Sequence, residues 1–103
     1  MGTQPESKLS RQIMEMLRAR GAFVFKIHGG ETMMNGLPDI CGVYQGKSIW
    51  LEVKTPGGRV SKIQEYRHQA IRDAGGYVVV PRSVKEASDW LLGLSNDDDN
   101  VTG

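Results

Sequence analysis

The chain has 103 residues, 39% hydrophobic and 24% charged, which is one ordinary globular domain and excludes a collagenous, disordered or disulfide-framed chain. No apolar run approaches a bilayer-spanning length, the opening MGTQPESK lacks the apolar centre of a signal peptide, and Cys41 is the single cysteine, so a reducing cytoplasm is expected. The formal charge of +1 hides an uneven layout: without Asp97, Asp98 and Asp99 in the terminal NDDDNVTG, 13 bases face nine acids, a mildly basic body that suits a phosphate-rich partner.

A helix is expected from about Glu6 to Arg20, with Leu9, Ile13, Met16 and Leu17 at helical spacing and Gly21 as its stop. Ala22 to His28 is rich in strand formers, and the glycines and proline of Gly29 to Pro38 mark a loop. Asp39 to Tyr44 and Ser48 to Lys54 read as a β-hairpin turning at Gln45-Gly46. After the loop TPGGR, Ser61 and Gln64 form a capping box that opens a helix ending near Ala74 at Gly75-Gly76. Tyr77 to Val80 reads as a buried strand. Ser83 and Glu86 form a second box, opening a helix through Leu92 with Ala87, Trp90, Leu91 and Leu94 on its apolar side.

The order α-β-β-β-α-β-α contains a strand–helix–strand unit from Ser48 to Val80, which favours a parallel pair. The expected fold class is α/β: a mixed sheet flanked by helices. One domain is expected over residues 1–94, followed by a flexible acidic tail over 95–103. A chain this small leaves much apolar surface exposed, so self-association is compatible with its size.

The hairpin brings candidate chemistry together. A two-residue turn at Gln45-Gly46 makes Tyr44 face Lys47, Val43 face Ser48, Cys41 face Trp50 and Asp39 face Glu52. Two opposed carboxylates repel unless a positive charge lies between them, and a divalent cation with oxygen ligands resolves the conflict. Alternation sends Ile49, Leu51 and Val53 to the core and turns Glu52 and Lys54 together to the other side. The Lys54 ammonium then stands where a scissile phosphate or an attacking water needs stabilising. Pro38 cannot donate to a sheet ladder and sets where the Asp39 strand begins.

Glu6 lies seven residues before Ile13 and nearly eclipses it on a helix, which places it at the sheet-facing end of that helix. It is a third candidate acid, although the helix dipole alone also favours an acid there. Gln64 is a candidate for orienting a water or touching a phosphate, although capping already accounts for it. Lys26, Arg59 and Lys62 are candidates for sequence-blind contacts to a phosphate backbone. His28 is read as a structural strand-end residue, and His68 as a solvent-facing residue in mid-helix. Cys41 is read as packing, and Trp90 as core or subunit contact.

The segment GLPDICGVYQGKSIWLEVK resembles the P-D…E-x-K signature of the PD-(D/E)xK nuclease superfamily. More closely, the chain resembles the VRR-NUC (virus-type replication-repair nuclease) domain. Seven ordered features carry this: ESK opening the first helix, K-I-H-G-G, G-L-P-D, E-V-K, the S-x-x-Q helix, A-G-G-Y-V-V-V and R-S-V-x-E-A. They span about Glu6 to Leu92. The resemblance implies a restriction-endonuclease-like core, with Mg²⁺ or Mn²⁺ held by Asp39 and Glu52 and helped by the Val53 carbonyl. It implies catalytic roles for Asp39, Glu52 and Lys54, with Glu6 and Gln64 at the family's helix positions. It further implies a homodimer in a bacterial or phage-infected cell that cuts branched DNA such as four-way (Holliday) junctions. The competing readings are a non-catalytic nucleic-acid-binding module of the same fold, and a metal-binding structural protein.

Overall fold

The computed structural model describes the backbone of residues 5–28 and 34–101 and the side chains of residues 6–28 and 34–96. Its elements are α1 (Pro5–Ala19), β1 (Phe23–Lys26), β2 (Ile40–Tyr44), β3 (Lys47–Leu51), α2 (Lys62–Asp73), β4 (Tyr77–Val79) and α3 (Val84–Val101). They form one four-stranded sheet in the order β1-β2-β3-β4, antiparallel except for the parallel β3–β4 pair that α2 connects. The expected α/β class and element order are those observed.

The hairpin register is the one its turn demands. Gln45 and Gly46 both take positive φ, 50° and 80°, the combination that lets a two-residue turn follow the sheet's twist. Tyr44 pairs with Lys47, Val43 with Ser48 and Cys41 with Trp50. The strained Gln45 is held from outside the turn, its side-chain oxygen accepting a 3.1 Å hydrogen bond from the Ser95 hydroxyl. Gly42 is fixed by space: a Cβ there would collide with the Phe23 carbonyl oxygen of β1.

The two faces of the sheet differ. On one, Ile13 and Leu17 of α1 and Ala87, Leu91 and Leu94 of α3 pack against Val24, Ile40, Tyr44, Ile49, Leu51 and Val53. On the other, α2 lies against β4 and leaves Phe23, Phe25 and Val43 exposed at 69%, 47% and 49%. The residue that α2 buries is His68. His68 therefore does not face solvent, as its position in a polar helix suggested. It lies on the sheet-facing side, one helical turn beyond Gln64.

Three boundaries depart from the sequence reading. The β2–β3 ladder ends at Ile40–Leu51, so Asp39 and Glu52, expected as its next pair, lie one step beyond the last pair. The second capping box is half formed. The Glu86 N–H donates to the Ser83 hydroxyl at 3.1 Å, but the Glu86 carboxylate takes the N–H of Arg82, at 2.7 Å, instead of that of Ser83. And α3 runs to Val101 instead of stopping at Leu92, so the backbone of residues 95–101 is helical. Burial of Leu94 and a 2.9 Å hydrogen bond between Ser95 and the Tyr44 hydroxyl carry the helix past Leu92. The side chains of Asp97, Asp98 and Asp99, and residues 29–33 of the expected Gly29–Pro38 loop, lie outside the described residues.

Candidate active site

The site forms where β2 and β3 part. Beyond Leu51 the chain stays bonded on its other side: the Glu52 N–H donates to the Val79 carbonyl at 2.9 Å and the Lys54 N–H to the Pro81 carbonyl at 3.2 Å. On the β2 side, a carboxylate replaces the backbone ladder. Asp39 Oδ2 accepts the Val53 N–H at 2.9 Å, and the Asp39 carbonyl accepts the Ile27 N–H at 2.7 Å. The separation of these strands makes room for acidic side chains where a continuous ladder would leave none, and Asp39 satisfies a backbone donor that would otherwise be orphaned.

Glu52 is 2% exposed. Its Oε2 lies 3.7 Å from the Lys54 ammonium and accepts a 3.2 Å hydrogen bond from the Gln64 amide. Its Oε1 lies 3.7 Å from His68 Nε2, too far for a hydrogen bond, and neither of these two buried atoms has a hydrogen-bond partner. Burial first, then the neighbouring Asp39 charge, push the Glu52 carboxyl up to about 8, against the pull of Lys54. Glu6 adds the smallest of these influences, from an exposed position in the first turn of α1. Burial, then the Arg72 and Lys54 charges against the opposing pull of Glu65 and Asp39, hold His68 below its usual value, which favours a neutral imidazole.

Gln64 does two jobs with the two ends of one amide. Its oxygen accepts the Ser61 N–H at 2.9 Å to complete the capping box, and its nitrogen reaches Glu52. The chemistry of the partners requires this orientation, since a backbone N–H needs an acceptor and a carboxylate needs a donor. The N-terminus of α2 is thus registered on the acidic site. The loop before it is anchored as well: Arg82 Nη1 donates to the Thr55 and Gly58 carbonyls, both at 2.7 Å.

The sequence-predicted Asp39, Glu52, Lys54 and Gln64 therefore come together, with Glu6 at the rim. Lys26, Arg59 and Lys62 are exposed at the end of β1, in the loop before α2 and at the start of α2. His68 belongs to the site, although the sequence reading turns it to solvent. The available signal is its i+4 spacing from Gln64, which puts the two on one helical face.

The donor set suits a hard divalent cation. Two neighbouring carboxyl groups, one with a buried oxygen lacking a partner, are what Mg²⁺ uses when water and substrate phosphate complete its shell. Among the described residues, no group of three or more His, Cys, Asp or Glu side chains could hold a metal ion. Backbone and water oxygens would have to supply the remaining positions of any such ion. No helix among the described residues is long and apolar enough to cross a membrane.

No family model matches the chain, and no curated protein matches it. Among solved structures, one described as a VRR_NUC domain superposes with a TM-score of 0.72 at 25% identity, over 84% of this chain and 94% of its own. A second, described as a VRR_NUC domain protein, gives 0.68 at 15% identity over 84% of each chain. Over most of its length, with a mixed four-stranded sheet and three helices, this chain has the fold of a VRR-NUC domain, a nuclease-family fold and the one its sequence resembles.

Proposed function

We propose that this protein is a Mg²⁺- or Mn²⁺-dependent, structure-selective endonuclease that hydrolyses phosphodiester bonds in DNA, in branched forms such as four-way (Holliday) junctions. The observation that carries this reading is the pair Asp39 and Glu52 at the parting of β2 and β3, with the Lys54 ammonium 3.7 Å from Glu52. Burying Glu52 beside a second, half-buried acid is unfavourable for folding, and a bound cation would turn that arrangement into a function. The carboxylates of Asp39 and Glu52 hold the ion, with the Val53 carbonyl as a third oxygen. When bound, the ion supplies Lewis-acid polarisation of a phosphate oxygen and acidifies a water.

The chain's own groups do the rest. Lys54 offsets the negative charge that grows on the phosphate during in-line attack. Gln64 keeps Glu52 Oε2 in place through its amide, while its other end is tied to the helix cap. Glu6, at the rim, orients a water. Exposed Lys26, Arg59 and Lys62 bind the phosphate backbone without reading bases, so selection rests on DNA shape. Two copies meeting through exposed Phe23, Phe25 and Val43 form the proposed homodimer, which acts in the cytoplasm on two strands.

The test is a labelled four-way junction, a flap and a linear duplex, each incubated with Mg²⁺ or Mn²⁺ and with EDTA. Metal-dependent cutting of the junction is expected, and Asp39→Ala, Glu52→Ala and Lys54→Ala should each remove it. Cutting at the wild-type rate by all three variants would refute the assignment. One observation favours a second reading, a non-catalytic DNA-binding module: the described residues provide no three-residue His, Cys, Asp and Glu cluster for a metal. Tight junction binding in EDTA, with no cutting in Mn²⁺, would establish that reading.

A further inference from the structure

A groove of about 420 Å³ runs between α1 and β1, outside the acidic site. Its lining includes Ser7, Ser10, Arg11, Glu15 and Arg18 of α1 and Lys26 of β1. Three cations against one carboxylate make it basic. Ser7 directly follows Glu6, whose charge reaches Glu52, so the groove opens at the rim of the site. Lys26 marks the same end: it pairs with Ile40, and the next residue, Ile27, donates to the Asp39 carbonyl at 2.7 Å. From there the groove follows α1 to Arg18, whose guanidinium donates to the Val24 carbonyl at 3.1 Å and keeps further donors free on its fork.

Building on the nuclease reading, we infer that this groove holds the sugar–phosphate backbone of one DNA strand as it leaves the cleavage site. Ser7 and Arg18 are eleven residues apart on α1, or about 16 Å along its axis. Duplex DNA carries one phosphate every ~3.4 Å along each strand, so about five phosphates pass that length. Arg11, Arg18 and Lys26 meet them as spaced cations, and the small Ser7 and Ser10 let the backbone approach the helix. Cations placed in this way set position without reading sequence, as shape-selective cutting requires. Glu15 is the one repulsive group in the lining and disfavours a second strand beside the first.

The test is the salt dependence of binding to a fluorescent four-way junction in EDTA, between about 50 and 200 mM salt. Removing one cation that neutralises a phosphate should make the slope of log affinity against log salt shallower by roughly 0.9. The double variant Arg11→Gln, Lys26→Gln is expected to flatten the slope by about two such steps and to bind at least tenfold more weakly. Its KM for cleavage in Mg²⁺ should rise with little change in kcat. Arg11→Lys on the Lys26→Gln background should recover one step of slope. Lys85→Gln, on α3 outside the groove lining and paired with Asp89 at 2.7 Å, should leave the slope unchanged. Thermal denaturation of each variant shows whether it is folded. A folded double variant with wild-type slope and affinity would overturn the groove while leaving the nuclease reading intact. A wild-type protein that neither binds nor cuts DNA would overturn both.

Discussion

The two faces of the sheet are built from the same strands by opposite rules. Toward α1 and α3, Ile49, Leu51 and Val53 are fully buried and the helices supply apolar stripes to match. Toward α2, the same β3 extension offers Glu52 and Lys54, and the helix answers with Gln64 and His68. The first face gains stability from burial of apolar area. The second gives up stability, since a buried carboxyl beside another acid is held together by an ammonium and an amide and leaves one oxygen without a partner. A protein keeps such an arrangement where it is used, and the stable face carries the cost of the reactive one.

That contrast is open to direct attack, beginning with the largest expected effect. Asp39→Ala or Glu52→Gln should lower junction cutting by about a thousandfold or more, as removal of charge-stabilising groups does elsewhere. Glu52→Gln should also raise the melting temperature of the metal-free protein at about pH 9, because it removes a buried charge. Loss of both cutting and stability would show that Glu52 belongs to the structural face after all. Leu51→Ala, on the opposite side of the same strand, should destabilise by about 2–5 kcal/mol in chemical denaturation. Its cutting should fall only as far as the folded fraction does.

Acidity separates the faces next. The folded-state value for Glu52 is raised, to about 8, above the ~4.3 of a free glutamate. The folded protein therefore holds this proton more tightly than the unfolded chain. The associated stability is fully present below the unfolded value and is lost as pH rises through about 8. Metal-free protein should melt at progressively lower temperature from about pH 5 to about pH 9, and Mg²⁺ should restore the loss, because it binds the folded state. A flat profile in Glu52→Gln would assign the slope to that carboxyl. A slope unaltered by the substitution would place its origin elsewhere.

The smallest expected effect is at Gln64→Glu. The cap survives, because a carboxylate oxygen still accepts the Ser61 N–H, but the donor to Glu52 becomes a third acid. The melting temperature should change little, while cutting falls by about tenfold, a typical result of displaced positioning, and its pH profile moves to higher pH. Wild-type cutting would reduce Gln64 to a cap.

How much of this is legible from the residues depends on the face. Ile49, Leu51 and Val53 announce their burial by period-two alternation, and Gln45-Gly46 sets the register down to Cys41 and Trp50. The Ser61–Gln64 box marks the start of α2 by local hydrogen bonding alone. His68 escapes a local reading because α2 has no continuous apolar stripe: Ile63 and Tyr66 are exposed at 43% and 64%, so hydrophobic periodicity points away from its buried side. The length of α3 escapes it too, because hydrogen bonds between Ser95 and the distant Tyr44 and Gln45 hold its later turns.

The sequence by itself determined the element order, the apolar face, the hairpin register and the set of acids and lysine that meet beyond it. These are matters of local geometry, turn chemistry and alternation, all readable within a few residues of each position. Only the tertiary structure decided that β2 and β3 part at Asp39, that Glu52 is buried with its acidity weakened, and that His68 and Gln64 close over it from α2. Those outcomes follow from how a helix docks on a sheet more than ten residues away in the chain, where burial and neighbouring charge, absent from any local pattern, set the chemistry.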